Sequence, residues 1–283
     1  MIARMKKPAK SPKLSTVLPG PLLLVGAGKM GQAMVDGWLT RGLNARKLVI
    51  VEPQPARPVK ALVKRGTRLN PKSAAEAAAI VVAVKPQTAP DAVPPLAANV
   101  GKGTLVVSIM AGRTLRFLEE RLPAGTAIVR AMPNTPAAVG RGITVACANA
   151  HVNARQRKLA TNLLAAIGKV EWVDDEALLD AVTALSGSGP AYVFLLAEAM
   201  AKAGIAAGLP EQLALRLARE TVTGSGELLH RSDLDAATLR QNVTSPGGTT
   251  AAALSVLMAP GGFDALLTEA IAAATRRSRE LAG

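Results

Sequence analysis

Gly26-Ala27-Gly28-Lys29-Met30-Gly31 is a GxGxxG run that follows the apolar stretch PLLLVG and opens the amphipathic stretch ending at Gly42. Between a strand and a helix, such a run does definite work. The first glycine permits the tight turn, the second lets a pyrophosphate approach the backbone, and the third lets helix and strand pack closely. The phosphate then meets the helix N-terminus. Glu52 ends the next apolar run, Leu48-Val-Ile-Val51, 21 residues after Gly31. An acid there accepts hydrogen bonds from both ribose hydroxyls of NAD. Arg57 stands five residues on and offers a 2′-phosphate partner instead, or forms a solvated pair with Glu52. Val84-Lys85-Pro86 closes a third apolar run, and Lys85 there faces phosphate, substrate charge or solvent. Two further turns, Ser186-Gly-Ser-Gly-Pro-Ala-Tyr192 and Ser245-Pro-Gly-Gly-Thr-Thr250, each lead into an apolar helix. Their serines either cap those helices or, with the backbone amides, hold an anion such as a carboxylate.

The elements that position these residues follow from periodicity. Short apolar, mostly β-branched runs at 21–26, 48–51, 80–84, 104–108, 127–130, 143–148 and 170–173 do not alternate, as expected of strands buried on both faces of a parallel sheet. Helical pieces lie between them, including Arg155 to Ile167, stopped by Gly168. After about residue 178 the strands vanish. Leu213 and Leu217 mark one helix, begun at Pro210, and Phe263, Leu266, Leu267, Ala270, Ile271, Ala274 and Leu281 share one stripe of another. The fold class is α/β: a doubly wound domain over residues 21–178, an all-helical domain over 179–283, and a basic, proline-containing arm over 1–20 that is expected to be disordered.

Composition narrows the function. Two histidines, His151 and His230, both read as surface residues, and the single cysteine, Cys147, reads as a small core residue. No metal site and no Ser-His-Asp triad is expected. Only 2% of residues are aromatic, too few for a platform that stacks single-stranded nucleic acid. The longest apolar stretch, 191–209, is interrupted by Glu198 and Lys202, so no membrane span is expected, and the arm lacks the apolar core of a signal peptide. A cytoplasmic protein is expected. The net charge of +14 is uneven: +5 in the arm, +11 over 21–178 and −2 over 179–283. A basic first domain suits anionic ligands such as a dinucleotide and a carboxylate substrate.

Together the segments GAGKMG (26–31), VKP (84–86), MPNTP (132–136), LSGSGPAY (185–192) and TSPGGTTAAAL (244–254) resemble those of the pyrroline-5-carboxylate reductases, in matching order over about residues 21–281. The glycine fingerprint is generic; the last three together are diagnostic. The resemblance implies a Rossmann-like N-terminal domain, a helical C-terminal dimerisation domain, and reduction of Δ1-pyrroline-5-carboxylate to L-proline by NADPH or NADH. It implies that Gly26, Gly28, Lys29, Met30 and Gly31 hold the pyrophosphate. Val84, Lys85, Pro86, Ala111 and Gly112 would line the nicotinamide half, Asn70 would lie near the adenine ribose, and Asn242 would supply a cofactor contact from the helical domain. Ser245, Gly247, Gly248, Thr249 and Thr250 would hold substrate, with the Thr250 hydroxyl facing the imine nitrogen. The position of Glu52 often carries a small polar residue in that family; a carboxylate there repels a 2′-phosphate and leans the choice toward NADH. A homo-oligomer, at least a dimer and up to a decamer, is implied as well.

Two competitors are weaker. The 3-hydroxyacid dehydrogenases share this architecture, but their catalytic lysine and asparagine positions, laid on Gly187 and Gly189, hold Val193 and Ala197 here. A basic nucleic-acid binder that senses NAD is supported by the arm alone and opposed by the scarcity of aromatics and the lack of a basic helix.

Overall fold

The structure is a computed structural model and describes residues 13–73 and 76–282. The chain divides into two compact units: the described residues of 11–188 together with 274–283, and residues 189–273. The first unit holds the strands β1 (Leu22–Val25), β2 (Leu48–Val51), β3 (Arg68–Leu69), β4 (Ala79–Val82), β5 (Leu105–Ser108), β6 (Ala127–Met132), β7 (Gly142–Ala148) and β8 (Gly168–Trp172). Its helices are α1 (Leu14–Val17), α2 (Lys29–Thr40), α3 (Arg57–Ala61), α4 (Ala89–Ala92), α5 (Leu115–Glu119), α6 (Ala154–Leu164) and α7 (Leu178–Val182). The second unit holds α8 (Gly189–Ala206), α9 (Glu211–Arg231), α10 (Ala236–Asn242) and α11 (Thr249–Leu257). The last helix, α12 (Phe263–Ala282), starts there and ends in the first unit.

The strands form one sheet in the order β3-β2-β1-β4-β5-β6-β7-β8. Every neighbouring pair is parallel except β6 and β7. Every residue of β1, β4 and β5 is buried, which is why these runs show no alternation. One face of the sheet (Leu22, Leu24, Leu48, Ile50, Val81, Val107) packs on Met34 and Trp38 of α2 and on Leu159 and Leu163 of α6. The other (Leu23, Val25, Ile80, Val82, Val106) packs on Leu96, Leu118 and Leu179. The Trp38 indole N–H donates to the Leu163 carbonyl at 2.9 Å, so the one polar atom of that side chain is satisfied inside the core.

The structure corrects several expectations. Residues 13–20 are not disordered: Leu14–Val17 is a helical turn, and Leu14 and Leu18 are fully buried in the α2-side core, at 0% and 2% exposure. Two leucines spaced i, i+4 meet one apolar surface, and burying each contributes roughly 1.5–3 kcal/mol. Residues 1–12 lie outside the described residues. The compact units divide at Gly189, because Leu179 packs under the sheet and the end of α12 returns to the first unit. There Ser278 donates to Asp180 at 2.7 Å. The sheet also gains β3, and β8 alternates between half-buried and exposed residues because it is an edge strand. Finally, α7, a π turn at Thr183–Gly187 and α8 make one helical run, Leu178–Ala206, that is long and apolar enough to cross a membrane by length and composition. Glu198 and Lys202 within it form an ion pair at 2.6 Å.

Candidate active site

In a doubly wound sheet, ligands bind outside the carboxyl ends of the strands where the order reverses. Here that point lies between β1 and β4, and the glycine loop sits on it. Gly26 has φ +91°, and a Cβ there would stand 2.6 Å from the Ala83 carbonyl at the end of β4. A Cβ on Gly31 would run into the carbonyl of Gly26, so this glycine lets α2 close onto β1. A Cβ on Gly28 would meet nothing; the loop is open on that side, beside the free N–H groups that begin α2. Two glycines are tight against protein and the middle one faces free space, which fits a pyrophosphate. Lys29 is exposed and Met30 half-buried at the start of α2.

Glu52 follows β2 and is tied into this loop. Its Oε2 accepts from the Ala27 N–H at 2.8 Å, and its Oε1 accepts from the Gln54 N–H at 3.0 Å. A carboxylate has about four acceptor sites, so lone pairs remain for two ribose hydroxyls. Arg57 is exposed at the start of α3. Asn70 has φ +46°, and its side chain bonds the backbone of Glu52 on both sides. The family resemblance implies that Asn70 lies near the adenine ribose; the structure gives it the task of holding the acid proposed to meet that ribose.

Val84, Lys85 and Pro86 follow β4, with the Lys85 side chain exposed. Ala111 and Gly112 follow β5, where Gly112 turns with φ +68°. Arg113 donates from Nε to the Pro86 carbonyl at 2.9 Å and joins the two loops. Arg113 was missed in the sequence, although it adjoins Gly112. Next along, Glu176 accepts from the Leu115 N–H and from the buried Arg130, both at 2.8 Å, and fixes the start of α5. The structure thus brings Gly26 through Gly31, Glu52, Asn70, Val84 to Pro86 and Ala111-Gly112 to one sheet edge. The MPNTP segment has a structural part: Asn134 accepts from the Ile143 N–H at 3.0 Å and pins the connection from β6 to β7.

The remaining candidates lie in the helical unit. Asn242 ends α10 and is exposed. Ser245 to Gly248 form a turn in which Gly247 has φ +70° and the Gly248 N–H donates to the Ser245 carbonyl at 3.1 Å. A Cβ on Gly248 would stand 2.5 Å from the Ser245 hydroxyl. Gly248 is the N-cap of α11, and no side chain caps that helix. Thr250 is its second residue, half-buried, so its hydroxyl is not spent on capping. The turn and the first N–H groups of α11 form an anion cradle with a hydroxyl beside it.

A glycine cradle at the switch point, with an acid at the end of β2, defines a nicotinamide-dinucleotide oxidoreductase. The family model for pyrroline-5-carboxylate reductase dimerisation matches residues 176–281, and that for NADP oxidoreductase, coenzyme F420-dependent, matches residues 22–112. A pyrroline-5-carboxylate reductase of Pseudomonas aeruginosa is 40% identical over 92% of this chain and 96% of its own. The solved pyrroline-5-carboxylate reductase of Coxiella burnetii is 33% identical, with a TM-score of 0.86 over 93% of this chain and 99% of its own. That of Plasmodium falciparum, with NADP bound, is 29% identical, with a TM-score of 0.75 over 94% of this chain and 99% of its own. The chain belongs to the pyrroline-5-carboxylate reductase family.

Proposed function

We propose that this protein reduces Δ1-pyrroline-5-carboxylate to L-proline with NAD(P)H, the last step of proline synthesis. The observation that carries the reading is the 244–254 segment: a glycine turn opening α11, which no side chain caps, with the half-buried Thr250 hydroxyl in its first turn. Bound NAD(P)H supplies the hydride. The chain's own part is positioning. The imine carbon is electrophilic already, and holding two reactants in register can supply roughly 7–11 kcal/mol. The amides at Gly247 and Thr249, with Ser245, fix the substrate carboxylate, and Gly248, whose N–H closes the turn on the Ser245 carbonyl, keeps the approach open. Thr250 steadies the ring nitrogen and holds its proton, or orients a water that delivers it, as the ring becomes tetrahedral. The test is loss of reduced-nicotinamide absorbance on adding pyrroline-5-carboxylate, with proline recovered; no oxidation overturns the proposal.

Gly26, Gly28, Lys29, Met30, Gly31, Glu52, Asn70, Val84, Lys85, Pro86, Ala111, Gly112 and Asn242 are proposed to hold the cofactor. Glu52 favours NADH: at ~5 Å and an effective dielectric of ~20 its charge repels a 2′-phosphate by roughly 3 kcal/mol, less where exposed. Glu52→Ser is expected to raise kcat/KM for NADPH relative to NADH about 10-fold.

The protein acts as a homo-oligomer, at least a dimer and up to a decamer, in the cytoplasm, with no specific nucleic acid and no membrane as partner. Consecutive residues Val193, Phe194, Leu195 and Leu196 of α8 are all exposed, so the helix is apolar on more than one side. A second subunit's helices cover such a surface, and Glu198 and Lys202 disfavour lipid. Sedimentation is expected to give no monomer at micromolar concentration.

A further inference from the structure

Between α7 and α8 the helix loosens by one residue. Thr183 to Gly187 form a π turn closed by the Ser188 N–H on the Thr183 carbonyl at 2.9 Å. Such turns are rare and are found frequently at functional sites. Inside this one, the Ser186 hydroxyl is shut off from solvent and has no hydrogen-bond partner among the described residues. Enclosing an unpaired hydroxyl is unfavourable, and folded chains seldom tolerate it without a use for it. The neighbouring hydroxyl does not share this state, because Thr183 donates to the Leu179 carbonyl at 2.7 Å.

The place of the turn indicates the use. A Cβ on Gly187 would stand 2.7 Å from Cε of Met132, the last residue of β6. In the sheet, β6 follows β4 and β5, whose carboxyl ends carry Val84 to Pro86 and Ala111-Gly112. The Ser186 turn therefore stands one strand further along the edge assigned to the nicotinamide half. The adenine and pyrophosphate positions lie on the other side, at β1 and β2. A hydroxyl both donates and accepts, and the group at that end of the cofactor that does the same is the carboxamide, with one C=O and one NH2.

We propose that Ser186 is a cofactor-positioning residue whose hydroxyl pairs with the carboxamide of the nicotinamide ring and sets the rotation of that ring. The proposal rests on the assignment of Val84 to Pro86 and Ala111-Gly112 to the nicotinamide half. An orphan held for a ligand has a specific signature: its removal does not harm the unliganded fold but weakens the ligand that completes it.

Ser186→Ala tests this by binding and melting rather than by turnover. The melting temperature without nucleotide is expected to hold or rise, because no native hydrogen bond is lost. Affinity for NADH, measured by titration calorimetry, is expected to fall about 5–10-fold, the share of one hydrogen bond. Affinity for ADP-ribose, which lacks the nicotinamide, is expected to stay within twofold of the parent. A fall in the unliganded melting temperature with unchanged NADH affinity makes Ser186 structural and overturns the proposal. Equal losses for NADH and ADP-ribose, or a rise confined to the KM for pyrroline-5-carboxylate, overturn it too. A parent that binds neither nucleotide overturns the dinucleotide reading itself, and with it this one.

Discussion

Asn70 grips the backbone of Glu52 from both sides: its Oδ1 accepts from the Glu52 N–H at 2.8 Å, and its Nδ2 donates to the Glu52 carbonyl at 2.9 Å. The strand β3 has only two residues, and here a side chain continues its pairing with β2 where the backbone turns away. The left-handed conformation at Asn70 is one that asparagine tolerates better than most residues. Asn70→Ala is expected to raise the KM for NADH several-fold while kcat holds, because the carboxylate of Glu52 loses its fixed direction. Steady-state kinetics with cofactor varied checks this; an unchanged KM would show that the bonds from Ala27 and Gln54 suffice.

The glycines of the loop separate fold from binding. Gly28→Ala adds a methyl to open space and is expected to leave the melting temperature within a degree or two while weakening NADH by 10-fold or more. Gly31→Ala drives a methyl into the Gly26 carbonyl and is expected to cost about 1–3 kcal/mol of stability. Thermal melts with and without NADH distinguish the two; matching profiles would refute the division of labour.

Thr250→Val removes a hydroxyl with little change of volume. Gly248 already occupies the capping position of α11, so the melting temperature is expected to hold. Turnover is expected to fall by roughly 10–10³, as for loss of one placed donor. Near-normal kcat in the folded variant would remove Thr250 from the reaction.

Leu14→Ala leaves a cavity beneath a residue with 0% exposure and is expected to cost about 2–5 kcal/mol. Denaturant unfolding measures it. A cost under ~1 kcal/mol would mean that residues 13–18 contribute nothing to the core.

Cys147 is buried in β7, and burial, with the negative charge of Glu176 nearby, pushes its thiol pKa up. The thiolate is the reactive form. Iodoacetamide near neutral pH is expected to leave the native protein unlabelled and to label it fully in denaturant. Rapid native labelling, followed by mass, would contradict that enclosure.

Much of this was legible before any coordinates, for reasons tied to particular residues. Leu22–Val25 and Ala79–Val82 are short, β-branched or leucine-rich, and buried on both faces, so they stand out as unbroken apolar runs. Arg68–Leu69 could not be seen, because two residues carry no period. Leu14 and Leu18 were hidden because five cations around them dominate the composition of the arm. The antiparallel setting of β7 leaves no mark on its residues, since burial on both faces looks alike in either direction. Among the candidate residues, the glycines whose backbone makes the turns (Gly26, and in the helical unit Gly247) are readable from their motifs. The links made by Asn70 and Arg113 depend on which loops meet, and a linear spacing does not carry that.

The return of α12 makes the first unit discontinuous in sequence. Ser278 reaches Asp180, 98 positions earlier in the chain. During synthesis the sheet can form early, but its last helical segment is still inside the ribosome when every strand has emerged. Closure of the nucleotide-binding unit is therefore deferred until α12 has emerged. A truncation after Ala273 leaves all candidate site residues encoded and yet removes Ser278, the partner of Asp180.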